Sequence, residues 1–241
     1  MKKISKKLLQ ARRDGKPALL HVSNLPESEA AAYVVSLEQM TEIAAWKIGG
    51  ANPWSRAVFK NTEIFFGPLH PHEVFFEVDR LSVGNLLTPV AEPEVMLEIG
   101  DLHSNCLSER FPRMGLGFEI PATVLPDNLK PHSIAQICDR GGAGALWVSA
   151  IQAFNEDVLT RRFEVSLSKN ATALALGSNE NVVNGPLGAA VEFLNLAARH
   201  KMPVTAGQWI ATGGLCPAVP VAASDVLELD AWGCNLQLHV C

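Results

Sequence analysis

Short apolar runs that alternate with turn residues fill the chain from about Glu92 to its end, and they limit the folds that it can adopt. VMLEIG, GLGFEIPATVL and AGALWVSAIQAF have the length and composition of core strands. RFEVSLSKN followed by ATALALGS predicts a hairpin with Lys169-Asn170 at its turn. WIATGG and VLELDAWGCNLQLHV predict further strands near the C-terminus. These patterns predict a β-rich domain.

Helical periodicity dominates residues 1–45 instead. A first helical run ends at the break Asp14-Gly15-Lys16-Pro17, and a second begins near Ser28 and continues through EAAAYVVSLEQMTEIAAW. Residues 186–200 predict another helix, with Pro186 in its first turn. We therefore expect an α+β protein with a helical N-terminal region, residues 1–45, and a β-rich domain, residues 46–241.

Composition and charge exclude several classes of function. The chain has 241 residues, 48% of them hydrophobic, with a net charge of -5, which disfavours binding to nucleic acid or to anionic membranes. No run reaches the roughly 18 apolar residues of a membrane helix, and no apolar segment follows the basic N-terminus, so we predict a cytoplasmic protein. Five cysteines without a CxxC pair indicate neither a disulfide framework nor a zinc site.

Glutamates on two predicted strands form the clearest chemical signal. Glu92, Glu94 and Glu98 alternate along one predicted strand and would share a face. Neighbouring carboxylates repel unless they are protonated or neutralised, and a hard divalent cation prefers such oxygen ligands. Glu119 lies within the apolar segment GLGFEIPATVL, where a charge is costly unless it is paired or metal-bound. Alternatively, the first acids form a solvated face, and Glu119 pairs with Arg113 or Lys130.

Lys47 lies between Trp46 and Ile48 and precedes two glycines. Partial burial would lower the pKa of this lysine and make it a usable acid or base. The alternative is a lysine at a helix end whose ammonium reaches solvent.

The order of the motifs along the chain resembles that of a known family. WKIG, FFGPL, EPEVMLEIG, GFEI, CDRGG, GPLGAAVEFL and TAGQWIATGG follow one another between about residues 44 and 240. This succession is similar to the 2-keto-4-pentenoate hydratase and 4-oxalocrotonate decarboxylase branch of the fumarylacetoacetate hydrolase superfamily. The resemblance implies a mixed, mainly antiparallel β-roll or distorted barrel, with the helical region packed outside, and a homo-oligomer.

The resemblance also implies roles for particular residues. It implies that Mg²⁺ (or Mn²⁺) is bound by Glu92, Glu94 and Glu119, and that Lys47 and Asp139 are catalytic. It implies substrate contacts at Gly67, Leu69, Gly185, Pro186, Leu187, Thr212 and Gly213. Three positions depart from the family pattern: Phe66 stands where the family commonly has an acid, Arg140 where it has an asparagine, and Gln208 where it has an aspartate. Glu63 could replace the missing acid at Phe66 only if its loop is rebuilt.

The chemistry implied by this resemblance is a hydration or lyase reaction of a small 2-oxo acid or its dienol, through a metal-stabilised enolate. A decarboxylase of the 4-oxalocrotonate type and an acylpyruvate C–C hydrolase share that intermediate and stay open. The hydrolase is disfavoured because the chain lacks the family's N-terminal histidine–glutamate pair, and only His70 and His72 lie in a nearby loop. A non-catalytic protein that binds a 2-oxo acid is a further alternative.

Overall fold

The computed structural model describes residues 2–241. The helices are α1 (Lys2–Asp14), α2 (Glu29–Leu37), α3 (Pro53–Phe59), α4 (Leu107–Arg110), α5 (Ser133–Cys138), α6 (Glu156–Thr160) and α7 (Gly185–Arg199). The strands are β1 (Ala45–Gly49), β2 (Phe65–Leu69), β3 (Val74–Phe76), β4 (Arg80–Leu81), β5 (Val90–Glu98), β6 (Arg113–Ile120), β7 (Ala145–Ala153), β8 (Glu164–Lys169), β9 (Thr172–Ser178), β10 (Trp209–Gly214), β11 (Val219–Pro220), β12 (Val226–Ala231) and β13 (Cys234–Val240).

The strands form two sheets. The larger sheet has the order β2-β1-β10-β5-β6-β7-β3, with β11 paired to β5, and the smaller has the order β4-β13-β12-β8-β9. Parallel pairing occurs between β1 and β10, β3 and β7, and β4 and β13, whereas the other pairs are antiparallel. This is the mixed, mainly antiparallel architecture that the resemblance implies.

The apolar core joins the two sheets and the N-terminal helices. Leu8 of α1, Leu116 of β6, Phe193 of α7 and Leu229 of β12 all belong to one buried cluster. Strand β6 is buried along almost its whole length because the sheet is covered on both faces there. The buried parts of β5 and β6 therefore hold the side chains of Glu94 and Glu119 away from water.

Local sequence explains where the helices begin. The Ser28 hydroxyl caps α2 by accepting a hydrogen bond from the backbone N–H of Ala31, as predicted. Helix α7 carries a proline in its first turn, also as predicted. The apolar face of α1 is buried through Ile4, Leu8 and Ala11.

Three local predictions are wrong. Helix α2 ends at Leu37, and Trp46 already lies in β1, so the second helical run is shorter than its periodicity indicates. Residues 53–59, which lie within the predicted β-rich domain, form α3 instead, with Pro53 in the first turn. The β8–β9 turn consists of Asn170 and Ala171, both with positive φ, one residue later than predicted.

In residues 2–241 no helix is long and apolar enough to cross a membrane. Strand β1 begins at Ala45, at the predicted boundary. The division into residues 1–45 and 46–241 stays a prediction.

Candidate metal centre and active site

Three glutamates distant in sequence converge on one point of the larger sheet. Glu92 and Glu94 lie on β5, and Glu119 lies on β6, directly opposite Glu92 in the antiparallel ladder. Each of the three offers a carboxylate oxygen, and these oxygens all lie within 4.8 Å of one another. Alternation along β5 places Glu92 and Glu94 on one face, and the pairing of β5 with β6 brings Glu119 to them.

The hydrogen bonding of these carboxylates leaves several oxygens without a partner. The side chains of Glu94 and Glu119 are fully buried. Glu94 Oε2 accepts a hydrogen bond from the backbone N–H of Gly213 at 2.6 Å. Glu94 Oε1 and Glu119 Oε1 have no hydrogen-bond donor within residues 2–241, and Glu119 Oε2 has only the Lys47 ammonium nearby. Buried carboxylate oxygens without donors fit a hard divalent cation, which takes oxygen ligands.

The buried cluster strongly favours protonation of the acids when no cation is present. Burial raises the pKa of Glu94 well above its usual value, and the neighbouring carboxylates of Glu119 and Glu92 raise it further. Burial raises the pKa of Glu119 to about 8, although Lys47 opposes the shift. Burial also raises the pKa of Glu92. The cluster is therefore unfavourable as three free carboxylates and would gain from a bound cation.

Lys47 of β1 brings an ammonium group to the same cluster. Its Nζ lies 3.1 Å from Glu119 Oε2 and donates a hydrogen bond to the carbonyl oxygen of Gly141 at 2.9 Å. Glu119 therefore pairs with Lys47, and neither predicted alternative is present. Arg113 instead bonds Glu98 at 2.7 Å, and Lys130 pairs with Asp127 at 2.7 Å.

The predicted direction of the Lys47 pKa shift is wrong. Burial alone lowers the pKa of this lysine, but the carboxylates, led by Glu119, outweigh burial and raise it. The ammonium is therefore held charged within the acidic cluster. It lies in a central strand and is buried, so it is not a lysine that reaches solvent from a helix end.

A tight turn, Arg140–Gly142, presents the Gly141 carbonyl to Lys47. All three residues of this turn have positive φ, which glycine adopts without strain. A Cβ at Gly67 would overlap the backbone carbonyl of Arg140, so strand β2 can approach the turn only because position 67 has no side chain. In this structure Gly67 therefore allows β2 to pack against the turn that holds Lys47.

Asp139 immediately precedes this turn, and its carboxylate is fully engaged. It accepts hydrogen bonds from the Arg12 guanidinium at 2.7 Å, the Thr123 hydroxyl at 2.6 Å and the Val124 backbone N–H at 3.0 Å. These contacts tie α1 and the segment after β6 to the turn. The catalytic role that the resemblance implies for Asp139 stays a prediction.

The three positions that depart from the family pattern have packing or hydrogen-bonding roles. Phe66 is buried against Tyr33, with ring centroids 4.4 Å apart. Arg140 donates to both carboxylate oxygens of Glu73, at 2.7 and 2.9 Å. Gln208 accepts a hydrogen bond from the Trp46 indole at 2.8 Å. Each side chain therefore supports the scaffold around the site.

Glu63 does not take the place of the acid that Phe66 replaces. Its carboxylate is exposed and bonds the Arg199 guanidinium at 2.7 Å.

A cavity of about 330 Å³ opens beside Lys47 and Glu92. The turn glycines Gly141 and Gly142 form another part of its wall. The rest of the wall is largely apolar and comes from α3, the start of β2, the segment after β6 and the segment after β10. Its apolar residues include Trp54, Val58, Phe59, Phe65, Pro121, Pro217 and Ala218. Sequence reasoning missed the α3 residues because Asn52-Pro53 also reads as a turn.

The seven predicted substrate contacts lie outside this cavity wall. Gly67 and Leu69 are buried in β2, and Gly185, Pro186 and Leu187 begin α7. The Thr212 hydroxyl donates to the Val95 carbonyl at 2.9 Å, and the Gly213 N–H donates to Glu94. Of these residues, Gly213 contacts the glutamate cluster directly, and the substrate-binding roles of all seven stay predictions.

Comparisons with known proteins identify sequence relatives that match part of the chain. No family model matches it. A 4-oxalocrotonate decarboxylase of Pseudomonas putida is 31% identical over 107 residues, which cover 44% of this chain and 40% of that protein. The TodF product hydratase of Pseudomonas putida strain F1 is 22% identical over 173 residues, covering 70% of this chain and 65% of that protein. The matches thus span less than two thirds of either relative.

A solved structure matches nearly the whole fold. The 4-oxalocrotonate decarboxylase from Pseudomonas putida G7, complexed with magnesium and adipate, superposes with a TM-score of 0.86 at 21% identity and covers 99% of this chain and 96% of that one. This confirms the predicted α+β roll. Together with the sequence relatives, it confirms the resemblance that the order of the motifs indicated.

Proposed function

Because its relatives support the 2-keto-4-pentenoate hydratase and 4-oxalocrotonate decarboxylase branch of the fumarylacetoacetate hydrolase superfamily, we propose that this chain is a divalent-metal-dependent lyase. Its substrate is a small 2-oxo acid or the dienol of one, and hydration of the 2-keto-4-pentenoate type is the leading reaction. The observation that carries this proposal is the convergence of three buried glutamates beside the Lys47 ammonium, next to a small cavity.

Glu92, Glu94 and Glu119 would hold Mg²⁺ or Mn²⁺ through their converging carboxylate oxygens, of which Glu94 Oε1 and Glu119 Oε1 lack hydrogen-bond donors. The decarboxylase of similar fold was solved with magnesium, which supports this choice of ion. The bound ion supplies Lewis acidity, which stabilises negative charge as it develops on the substrate oxygen. Glu94 is further oriented by the N–H of Gly213.

Lys47 places a positive charge beside the cluster, and its ammonium can also donate a proton. Its Nζ faces the cluster from β1, and the Gly141 carbonyl holds it in place. A charged ammonium there favours the enolate form of a 2-oxo acid and can deliver a proton to carbon or oxygen.

Decarboxylation of the 4-oxalocrotonate type is the second candidate, favoured by the 31% identical relative. It uses the same cation and ammonium, and it differs in the bond that breaks. A C–C hydrolase gains no support from His70 and His72. Their rings stack with centroids 5.0 Å apart, and neither residue lines the cavity. The homo-oligomeric state and the cytoplasmic location stay predictions.

The test is turnover of 2-hydroxypenta-2,4-dienoate by the full chain with Mg²⁺, followed as the loss of its ultraviolet absorbance. We expect activity that EDTA removes and that Lys47→Ala lowers by about 10²-fold or more. Lys130→Ala, which removes a lysine paired only with exposed Asp127, is the matched control and should retain full activity. Turnover of oxalocrotonate but not of the dienol would favour the decarboxylase. No turnover of dienols, oxalocrotonates or acylpyruvates would leave a binding protein as the remaining reading.

A further inference from the structure

The charged groups of the cavity are confined to one part of its wall. Among the wall residues, all of which lie in the described range 2–241, Lys47 is the one cation and Glu92 the one anion. The acid head of a 2-oxo acid would therefore be held beside these two residues and the other glutamates of the cluster. The carbon chain of the ligand would then extend along the remainder of the wall.

That remainder offers no positive charge to a second acid group. Trp54, Val58 and Phe59 of α3 face the cavity together with Pro121 and Pro217. The Arg56 side chain, on the same helix, does not belong to the wall, and its Nε donates to the Gly50 carbonyl at 3.0 Å while its guanidinium approaches Glu192. A terminal carboxylate placed against this surface would lose water without gaining a counter-charge.

The polar side chains of this remainder reinforce the same preference. Asn52 uses its amide nitrogen to donate to the carbonyls of Asn181 and Gly214. The Ser55 hydroxyl donates to the Asn52 carbonyl. The Thr123 hydroxyl donates to Asp139, and Gln136 uses one N–H of Nε2 to donate to the Lys130 carbonyl. A carboxylate is only an acceptor, and the side-chain donors left on this wall, the Trp54 indole N–H and the second N–H of Gln136, are neutral and supply no counter-charge.

We propose that this cavity selects 2-oxo acids whose end remote from the acid head is uncharged, and that it rejects dicarboxylates of the same carbon number. The inference rests on the proposed function, because the head must first bind at the glutamates and Lys47. Its physical basis is the cost of removing a charged group from water without a partner. This selectivity separates monoacid substrates from diacids such as oxalocrotonate. The metal chemistry that the candidate reactions share does not separate them.

The test is calorimetric binding of two five-carbon ligands to the Mg²⁺-loaded full chain. 2-Oxopentanoate and 2-oxoglutarate share the 2-oxo acid head, and they differ in a terminal methyl or carboxylate. We expect 2-oxopentanoate to bind at least about tenfold more tightly, because the unpaired carboxylate of the diacid is desolvated. Equal or tighter binding of 2-oxoglutarate would overturn the inference.

Pyruvate, which has the head alone, separates this inference from the proposed function. Binding of pyruvate together with a preference for 2-oxoglutarate would leave the head site intact and reject the selectivity. If none of the three ligands binds, the proposed function is wrong, and the inference is overturned with it.

A charge-insertion variant tests whether the apolar wall causes the preference. Val58 lines the cavity from α3 and is 54% exposed, so Val58→Lys should fold and place an ammonium near the ligand tail. We expect the preference for 2-oxopentanoate over 2-oxoglutarate to fall by about threefold or more, as a partly exposed ion pair allows. Val34→Lys, at an equally apolar and 42% exposed position outside the cavity, is the matched control and should leave the ratio unchanged. A ratio unchanged in Val58→Lys as well would contradict the inference.

Discussion

Glu92 and Glu119 face each other at one register position of the antiparallel β5–β6 ladder. Like charges directly opposite in a sheet destabilise it, and Glu94 adds a third carboxylate within 4.8 Å. Lys47 offsets part of this repulsion through its contact with Glu119. The metal-free fold therefore retains acids that reduce its stability, which is expected where a site serves binding before stability.

Removal of one acid should stabilise the metal-free protein and weaken its response to metal. Glu94→Gln removes a fully buried carboxylate and keeps an oxygen that can accept from the Gly213 N–H. We expect the free energy of unfolding without metal to rise by about 1 kcal/mol or more at neutral pH. We also expect the Tm increase produced by saturating Mg²⁺ in the parent chain to disappear. Thermal unfolding with Mg²⁺ and with EDTA measures both effects.

Glu98→Gln is the matched control for this variant. Glu98 lies at the end of the same strand, where its carboxylate bonds Arg113, and it does not belong to the cluster. Its replacement should preserve the Mg²⁺-dependent rise in Tm. If Glu94→Gln retained the full Mg²⁺ response, the glutamate cluster would not be the metal site.

Gly67 should tolerate no side chain, because β2 contacts the backbone of the Arg140–Gly142 turn there. Gly67→Ala would place its Cβ on the Arg140 carbonyl, and backbone must move to relieve the overlap. We expect a loss of about 2–4 kcal/mol in the free energy of unfolding, measured by urea denaturation. Gly84→Ala, where a Cβ meets no atom within 4 Å, should change stability little. A stable Gly67→Ala protein would contradict the packing described here.

The shared face of Glu92 and Glu94 could be predicted because it depends on a short-range rule, whereas the approach of Glu119 to that pair was implied by the family resemblance. Alternation in a strand places Glu92 and Glu94 on one face, and an acid in an apolar segment needs a partner. The partner of Glu119 could not be predicted in the same way. Lys47 reaches it because β1 pairs with β10, a strand more than 150 residues later in the chain, and such long-range pairing leaves no local signal.

The helix that lines the cavity and the direction of the Lys47 pKa shift were not predicted, for related reasons. Asn52-Pro53 begins α3, but a proline after asparagine is also typical of turns, so the helix that lines the cavity was not expected. The predicted fall in the Lys47 pKa took burial into account, but it did not anticipate three carboxylates gathered around one ammonium. Both errors concern tertiary neighbours, whereas strand and helix positions followed mainly from periodicity.

Asp139 should matter for stability more than for the chemical step. Its buried carboxylate accepts three hydrogen bonds, and Asp139→Asn would turn an amide donor toward groups that already donate. We expect a loss of about 2–4 kcal/mol in the free energy of unfolding. Asp127→Asn, which removes only an exposed pair with Lys130, should leave stability unchanged. A catalytic Asp139 would instead show a large loss of kcat with unchanged stability, so urea denaturation and kinetics together separate the two roles.

The buried pair between Glu73 and Arg140 should give the protein an acid-dependent contribution to stability. Burial opposes ionisation of Glu73, but the hydrogen bond and charge of Arg140 outweigh it, and the pKa of Glu73 lies below its usual value of 4.5. A lowered folded pKa means that this stabilisation is fully present above about pH 4.5 and is lost as the pH falls through the folded value. Glu73→Gln should therefore destabilise most at neutral pH, and its difference from the parent chain should shrink below about pH 4.5.

Urea denaturation of both proteins from about pH 7 to about pH 3.5 measures this difference. Glu63→Gln is the control, because the pKa of Glu63 is also lowered by its hydrogen bond to an arginine, Arg199, but that pair is exposed and screened by water. We expect the pH-dependent difference to be smaller for Glu63→Gln than for Glu73→Gln. A difference for Glu73→Gln that stays constant across the pH range would show that ionisation of Glu73 does not stabilise the turn at Arg140.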